Sequence, residues 1–172
     1  AVAKEIAAVE KELRTLGAAL RKRRAAAADK LAPAITAELQ ALGFAHGAFG
    51  IELVPAETPA ATGLDRAEFG FAPNVGEPMR ALRAIASSGE ISRVMLAIKV
   101  VLAEADKIPL LVFDEIDANV GGETAHAVGR KLAQAARKRQ VVAITHLPPV
   151  AACGAHHFAV RKTVRDGRTH TT

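Results

Sequence analysis

The sequence has few aromatic residues and almost no cysteine. It contains six Phe, no Trp and no Tyr among 172 residues, so it has few of the rings on which single-stranded nucleic acids stack. Its one cysteine, Cys153, excludes an internal disulfide and favours a reducing compartment, the cytoplasm. The absence of an 18-residue apolar run and of a signal-peptide pattern argues against membrane insertion and secretion.

Half of the residues are hydrophobic, which is enough for a buried core in a chain of this length. Apolar periodicity and turn residues divide most of the chain into strands and helices. We expect strands at 48–54 and 67–73, then helix 88–105, strand 110–113, helix 123–138, strand 140–145, helix 148–153 and strand 157–162. A closing hairpin is expected around "RDGR" at 165–168. This alternation predicts an α/β fold whose mostly parallel sheet is flanked by helices.

The N-terminal region is predicted to be helical. Apolar residues recur there at spacings of three and four, which favours either the end of a coiled-coil arm or an amphipathic helix on its own domain (Ile6, Val9, Leu13, Leu16 and Leu20). Pro33 is expected to kink this helix or to start a new one, and Gly43 is a plausible stop. We therefore expect a helical segment at 1–43 and a second unit at 44–172.

The net charge of +5 lies mainly at the N-terminus. Residues 1–30 hold eight Lys or Arg and four acidic residues, a balance of 8 − 4 = +4. The run "RKRR" at 21–24 is able to hold the phosphates of DNA, although on a surface helix such a run is more often a solvated face. Both interpretations stay open from charge alone.

The segment "SSGE" places Ser87, Ser88, Gly89 and Glu90 immediately before a predicted apolar helix. Unpaired amides and the dipole at a helix N-terminus attract anions, so the segment is a candidate phosphate site. The simpler interpretation is helix capping, with Ser87 as N-cap and Glu90 completing a capping box.

Two acidic residues follow an apolar run in "LLVFDEID". The run predicts a strand buried on both faces, so Asp114 and Glu115 emerge at its carboxyl end, which is where open α/β sheets bind ligands. His146 ends the next predicted strand, on the same edge, although alone it fits a structural hydrogen-bonding role equally well. Cys153, His156 and His157 form only a weak zinc pattern.

The order of "SSGE", "LLVFDEID" and "ITH" is that of the C-terminal half of an ATP-binding-cassette head of the SMC kind. Longer segments, "FGFAPNVGEPMRAL", "ASSGEISRVMLAIK", "FDEIDANVGG" and "QVVAITHLPPVAACGAHHFAVRK", resemble the RecN family of bacterial SMC-like ATPases, which act in the repair of DNA double-strand breaks. The resemblance covers about residues 20–165. It implies the C-terminal lobe of a P-loop ATPase head, preceded by the returning end of a coiled coil.

The resemblance also implies roles for individual residues. Asp114 becomes the Walker B acid that holds Mg²⁺, Glu115 the base or orienter of the attacking water, and His146 the sensor of the γ-phosphate. The signature segment, Ser87 to Glu90, contacts ATP held by the opposite head of a homodimer. For Asp117, we expect a supporting role behind the metal site or a helix-capping role.

Three positions depart from the family pattern. Ser88 stands where the signature usually has its first glycine, which requires that its φ is not positive. Ala86 replaces a common Leu, and Gly121 replaces the Asp of many SMC-type D-loops. No G-x-x-x-x-G-K-[ST] phosphate loop occurs in the 172 residues.

The missing phosphate loop leads us to expect a C-terminal fragment that needs the N-terminal half of the same head and is inactive alone. A second head and DNA are the further expected partners, and no association with a membrane is expected. The expected location is the bacterial cytoplasm, in association with the nucleoid. Two alternatives stay open: a non-enzymatic DNA-binding or scaffolding fragment, and the head of another SMC-like ATPase.

Overall fold

The computed structural model describes residues 2–165 and 168–171. Its elements include one long helix, an antiparallel sheet, a parallel strand pair with helices, and a short hairpin. In chain order they are α1 (Val2–Ala41), β1 (Ala48–Ala60), β2 (Gly63–Ala72), β3 (Arg80–Ala81), a 3₁₀ turn (Leu82–Ala84), α2 (Ser88–Val101), β4 (Leu110–Phe113), α3 (Gly122–Ala135), β5 (Gln140–Ala143), α4 (Pro148–Ala151), β6 (Lys162–Arg165) and β7 (Arg168–Thr171).

Helix α1 runs through Pro33 without a break, so the expectation of a second helix starting there is wrong. The proline is exposed, and the next turns are held against the core by Ile35 and Leu39, which are almost completely buried. The predicted stop at Gly43 is confirmed, because this residue adopts a left-handed φ of 95°. The amide of Phe44 then donates to the carbonyl of Leu39 at 3.2 Å, which closes the helix with a Schellman motif.

Strands β1, β2 and β3 form an antiparallel sheet in that order. Both predicted strands in this region exist and are longer than expected, whereas the two-residue β3 was not predicted. Only residues 61 and 62 separate β1 from β2, and a connection this short forces antiparallel pairing.

Strands β4 and β5 are parallel, with Leu111 opposite Val141. They are the only parallel pair among the described residues, so the expectation of a mostly parallel sheet is wrong in this detail although the chain is α/β. The expectation that β4 is buried on both faces is also wrong. Leu111 and Phe113 are buried in the core with side chains of α2 and α3, whereas Leu110 and Val112 are 44% and 61% exposed.

The predicted strand at 157–162 is wrong, because residues 157–161 adopt no regular structure. No strand pairs with this segment in the part of the chain that the structure describes, and Phe158 is 96% exposed. A hairpin of β6 and β7 follows, as "RDGR" predicts, and the two central turn residues, 166 and 167, lie outside the described residues.

The end of α1 shares one core with the first sheet and with helices α2 and α3. Phe44 and Phe71 meet edge to face there, with ring centres 4.9 Å apart. The division of the chain at residue 43 stays a prediction. None of the helices described is both long enough and apolar enough to cross a membrane.

Candidate functional site

The candidate site lies where the two parallel strands end. Phe113 is opposite Ala143, and the amide of Ile144 donates to the carbonyl of Phe113 at 2.9 Å. The residues that follow β4 and β5, 114–117 and 144–146, therefore emerge at one edge, which we call the carboxyl edge. The sequence-based expectation that the acidic pair and His146 share this edge is confirmed.

Asp114 and Glu115 are both exposed at the carboxyl edge. The amide of Glu115 donates to Oδ1 of Asp114 at 2.9 Å, and its carbonyl accepts the amide of Ala118 at 3.0 Å to form a tight turn. Glu115 has a left-handed φ of 53°, a conformation that costs a non-glycine residue about 1–2 kcal/mol. Backbone strain of this kind is concentrated at functional sites.

The N-terminus of α2 reaches the same edge. Ser87 caps the helix, because its side chain accepts the Glu90 amide at 3.3 Å, so the capping interpretation describes this residue. Ser88 instead donates its hydroxyl to a carboxylate oxygen of Glu115, and Ser92 donates to the carbonyl of Asp114 at 2.9 Å. Ser88 lies in the first turn of the helix without a positive φ, so this departure from the family pattern meets its backbone requirement.

Gly89 allows α2 to approach the carboxyl edge closely. A Cβ atom at this position would lie 2.9 Å from Cβ of Ala118 and 3.2 Å from the carbonyl oxygen of Glu115. Real Cβ atoms do not come so close to a neighbouring carbon, so any other residue would push the helix and the turn apart. Gly89 is therefore required by packing, in addition to its predicted place in a phosphate site.

Arg93 belongs to this region and was not singled out in the sequence. It is 8% exposed, donates to the carbonyl of Ala118 at 3.0 Å, and stacks over the ring of Phe44 at 5.0 Å. Burial lowers the pKa of Arg93 from its ordinary value, although the negative charge of Glu90 acts to raise that pKa. One feature of the sequence could have indicated the burial of Arg93, because it is a positively charged residue among the apolar residues of a predicted helix.

Asp117 and His146 meet beneath the carboxyl edge. Asp117 is 2% exposed, and its Oδ1 lies 3.5 Å from Nδ1 of His146, whose side chain is 73% exposed. Of the two roles expected for Asp117, helix capping is wrong, because α3 has Gly121 as its N-cap and no side-chain cap. The carboxylate instead supports the segment that carries His146.

Several proteins of known sequence are similar to this chain. DNA repair protein RecN from Streptomyces coelicolor is 42% identical over 168 residues, which cover 91% of this chain and 29% of the relative. RecN from Deinococcus radiodurans is 42% identical over 165 residues, which cover 96% of this chain and 29% of the relative. RecN from Xylella fastidiosa is 44% identical over 150 residues, which cover 86% of this chain and 27% of the relative.

This chain is related to the RecN proteins. It spans less than a third of the length of these RecN relatives and matches their C-terminal region. No protein-family model matches the sequence. Among solved structures, the Smc head domain with a coiled coil and joint from Pyrococcus yayanosii has a TM-score of 0.60 at 22% identity, covering 99% of this chain and 30% of that one. The Smc head from Pyrococcus furiosus with an extended coiled coil, bound to the C-terminal domain of ScpA, gives 0.56 at 20% identity, covering 84% and 34%.

These likenesses show that the RecN-related chain has the fold of the C-terminal lobe of an SMC-type head. The donor chemistry of the site fits Mg²⁺, since that ion takes one or two carboxylates and fills its other positions with water and phosphate oxygens. Asp114 is an exposed carboxylate of this kind. The structure gives no support to the weak zinc pattern at Cys153, His156 and His157. Within residues 2–165 and 168–171, no cluster of three or more His, Cys, Asp or Glu residues is suited to a metal. Nε2 of His157 instead contacts the carbonyl oxygen of Gly154 at 3.1 Å.

The basic run at 21–24 divides into two pairs. Arg21 forms an ion pair with the buried carboxylate of Asp65. Arg24 donates to the carbonyls of Asp65 and Thr62, at 2.8 and 2.7 Å, and so fastens the β1–β2 hairpin to α1. Residues 22 and 23 are exposed. Neither the DNA-contact nor the solvated-face interpretation foresaw this docking role.

Proposed function

We propose that this chain is the C-terminal half of an SMC-like ATPase head that acts in the repair of DNA double-strand breaks. The head binds and hydrolyses ATP with the N-terminal half of the same head and with a second head. The observation that carries the proposal is the exposed pair Asp114 and Glu115 behind β4, beside His146 behind β5. Each carboxylate accepts one local hydrogen bond, yet both stay exposed without a cationic partner, and one has a strained backbone, as is common at functional sites.

The three residues have separate tasks in this proposal. Asp114 holds Mg²⁺ through its negative charge, and the bound ion would neutralise charge on the phosphate oxygens. Glu115 orients the attacking water and accepts its proton. His146 contacts the γ-phosphate, for which its 73% exposed side chain is accessible.

The signature segment, Ser87 to Glu90, is assigned to the ATP of the second head. Helix α2 begins at Ser88, so its first amides point out of the helix end, where a phosphate is attracted by the helix dipole. The side chain of Ser88 is exposed and therefore accessible to a second head. These observations support a homodimer with ATP between the heads.

The N-terminal half is proposed to cover the open face of the β4–β5 pair. Four apolar side chains lie on that face with 44–61% exposure (Leu110, Val112, Val142 and Ile144). An apolar face of this size favours a protein partner. The same partner would supply the phosphate loop, which is missing from the 172 residues.

The exposed stripe on α1 supports a coiled-coil arm. Ile6, Val9 and Leu16 are more than half exposed, although they repeat at helical spacing. A second helix packed along this stripe would bury them, as apolar seams require.

The deciding experiment compares Asp114→Asn with Glu115→Gln in a head reconstituted with its N-terminal half. We expect Asp114→Asn to weaken Mg²⁺-dependent ATP binding, since the charge that holds the ion is lost. Glu115→Gln should keep ATP binding, slow hydrolysis by about 10²-fold to 10⁴-fold, and accumulate as an ATP-dependent dimer. ATP affinity, turnover and mass in solution measure these effects.

The isolated chain is the control, and it should neither hydrolyse ATP nor bind it tightly. Micromolar ATP affinity of the isolated chain would contradict the composite site. Normal turnover by Glu115→Gln, or a loss of ATP binding as severe as in Asp114→Asn, would contradict the assigned tasks.

The alternative of a DNA-binding or scaffolding fragment is favoured by one observation, the exposure of Lys22 and Arg23. If these two cations hold DNA phosphates, Lys22→Gln with Arg23→Gln should weaken DNA binding and flatten its log–log salt dependence by about two phosphate contacts. Arg21→Gln with Arg24→Gln is the matched control, because it removes the same charge from the pair that docks the hairpin. An unchanged salt slope in the first variant would return the cluster to a solvated face.

A further inference from the structure

Asp117 is the most deeply buried charged group of the carboxyl edge. Its carboxylate accepts the hydroxyl of Thr145 and, at 3.1 Å, the amide of His146. The other carboxylate oxygen faces Nδ1 of His146 at 3.5 Å. The hydroxyl of Thr145 in turn accepts the amide of Leu147 at 3.1 Å. One carboxylate therefore organises three consecutive residues behind β5.

A buried carboxylate is costly unless hydrogen bonds replace its water. Burial raises the pKa of Asp117, but the hydrogen bonds from Thr145 and the His146 amide, together with the nearby imidazole, outweigh it and leave the pKa below its ordinary value. The group is therefore an ionised acceptor at neutral pH. These donors all belong to residues 145 and 146, so the stabilisation depends on the position of that segment.

We propose that Asp117 is a positioning residue for His146. It fixes the backbone of residues 145–147 and, facing Nδ1, directs Nε2 of the imidazole away from the core and toward the carboxyl edge. A carboxylate beside one ring nitrogen sets the orientation and tautomer of a histidine in this way. The backbone part of the inference stands alone, whereas its consequence for turnover rests on the proposed ATPase function.

The experiment uses the head reconstituted with its N-terminal half and measures amide hydrogen exchange over residues 144–148. Asp117→Asn keeps the shape of the side chain but removes its charge and one acceptor oxygen, so we expect about tenfold or faster exchange of the His146 and Leu147 amides. Thr145→Val should speed exchange of the Leu147 amide. The matched Thr145→Ser, which keeps the hydroxyl, should restore protection.

The kinetic readout separates positioning from general support of the fold. Asp117→Asn should lower kcat by about 10-fold to 100-fold, the usual effect of losing an outer partner of a functional histidine, with a much smaller change in KM for ATP. In a His146→Ala background, the same substitution should cause no further loss of kcat, because Asp117 acts through that side chain.

Two results would overturn the inference. One is wild-type exchange at residues 145–147 in both Asp117→Asn and Thr145→Val. The other is an equal loss of kcat from Asp117→Asn with and without His146, which would assign Asp117 a separate task. If the wild-type head hydrolyses no ATP, the proposed function fails, and the exchange rates alone decide whether Asp117 holds the segment.

Discussion

Two groups of charged residues in this chain are used in opposite ways. Where α1 meets the β1–β2 hairpin, Asp65 is 6% exposed and forms an ion pair with Arg21. At the carboxyl edge, Asp114 and Glu115 are exposed and accept hydrogen bonds from an amide and a hydroxyl group instead of pairing with cations. Both groups read as charged positions beside apolar runs in the sequence. Only the tertiary contacts separate charges that build the fold from charges left available to a ligand.

Stability and function depend on different charged residues in this molecule. Pairing a buried carboxylate with arginine fastens two elements, so its loss should be felt in unfolding. An exposed carboxylate contributes little to stability, so its loss should be felt in chemistry alone. Substitutions in both regions test this contrast.

The largest effect on stability is expected from Gly89→Ala, at the carboxyl edge. The added Cβ would overlap Ala118 and press on the carbonyl of Glu115, so unfolding free energy should fall by about 3 kcal/mol. Gly121→Ala is the matched control, because a Cβ there meets nothing within 4 Å. Denaturant unfolding measures both, and equal stability of the two variants would mean that α2 and the turn at 115–118 are not closely packed.

Asp65→Asn should destabilise the chain by about 2 kcal/mol, because it leaves the Arg21 side unpaired and weakens the docking of the hairpin. Glu68→Gln is the control on the same strand, since its partners Arg66 and Arg83 are largely exposed and such pairs contribute at most about 1 kcal/mol. If both variants unfold alike, the contact between α1 and the hairpin is not a structural ion pair.

A smaller effect, confined to acid, is expected from Asp106. Hydrogen bonding from Lys99, helped by the Ile108 amide and Arg139, lowers the pKa of Asp106 from 3.8 to about 2. Because the folded-state value lies below the unfolded one, this stabilisation is present above about pH 4 and is lost as pH falls toward 2. Unfolding free energies measured across this window should rise with pH, and Asp106→Asn should flatten the rise. If the unfolding free energy of Asp106→Asn rises with pH as steeply as that of the wild type, the charge of Asp106 does not stabilise the fold.

The smallest effect is expected from Glu115→Gly. Glycine relieves the left-handed strain of about 1–2 kcal/mol but raises the entropy of the unfolded chain, so a net gain of about 0.5 kcal/mol should remain. Glu115→Ala is the control, since it removes the carboxylate and keeps the strain. Thermal unfolding should rank Gly above Ala, while both abolish the proposed catalysis. A Gly variant that is less stable than the wild type, but still more stable than Glu115→Ala, would show that the lost hydrogen bond with Ser88 outweighs the relieved strain.

Much of the secondary structure and the carboxyl edge could be predicted from the sequence. Strand β4 has the predicted bounds, the stop at Gly43 is correct, and His146 shares the edge of Asp114, because these features follow from short apolar runs and turn residues. The strand predicted at 157–162 failed, because a strand needs a pairing partner that local sequence does not contain.

Arg93 and Asp117 show what local patterns leave undecided. Neither residue was predicted to be buried from the sequence around it, yet each is more than nine-tenths buried, and the groups that compensate for that burial are mostly more than twenty positions away. Their importance depends on which carbonyls and amides meet them after folding. That information lies in tertiary contacts, since a hydrogen bond requires position and direction as well as residue type.

Local sequence was sufficient to predict the helical stripe of α1, the order of helices and strands from residue 88 to residue 151, and the carboxylates behind β4, because apolar period and turn chemistry act over a few residues. Local sequence does not show which part of the apolar stripe of α1 is buried; that depends on tertiary packing. Ile35 and Leu39 are buried, whereas Ile6 and Val9, at similar spacing, are exposed. The hydrophobic effect depends on the apolar area that is removed from water, and that area is set by the surfaces that pack against the helix in the folded protein.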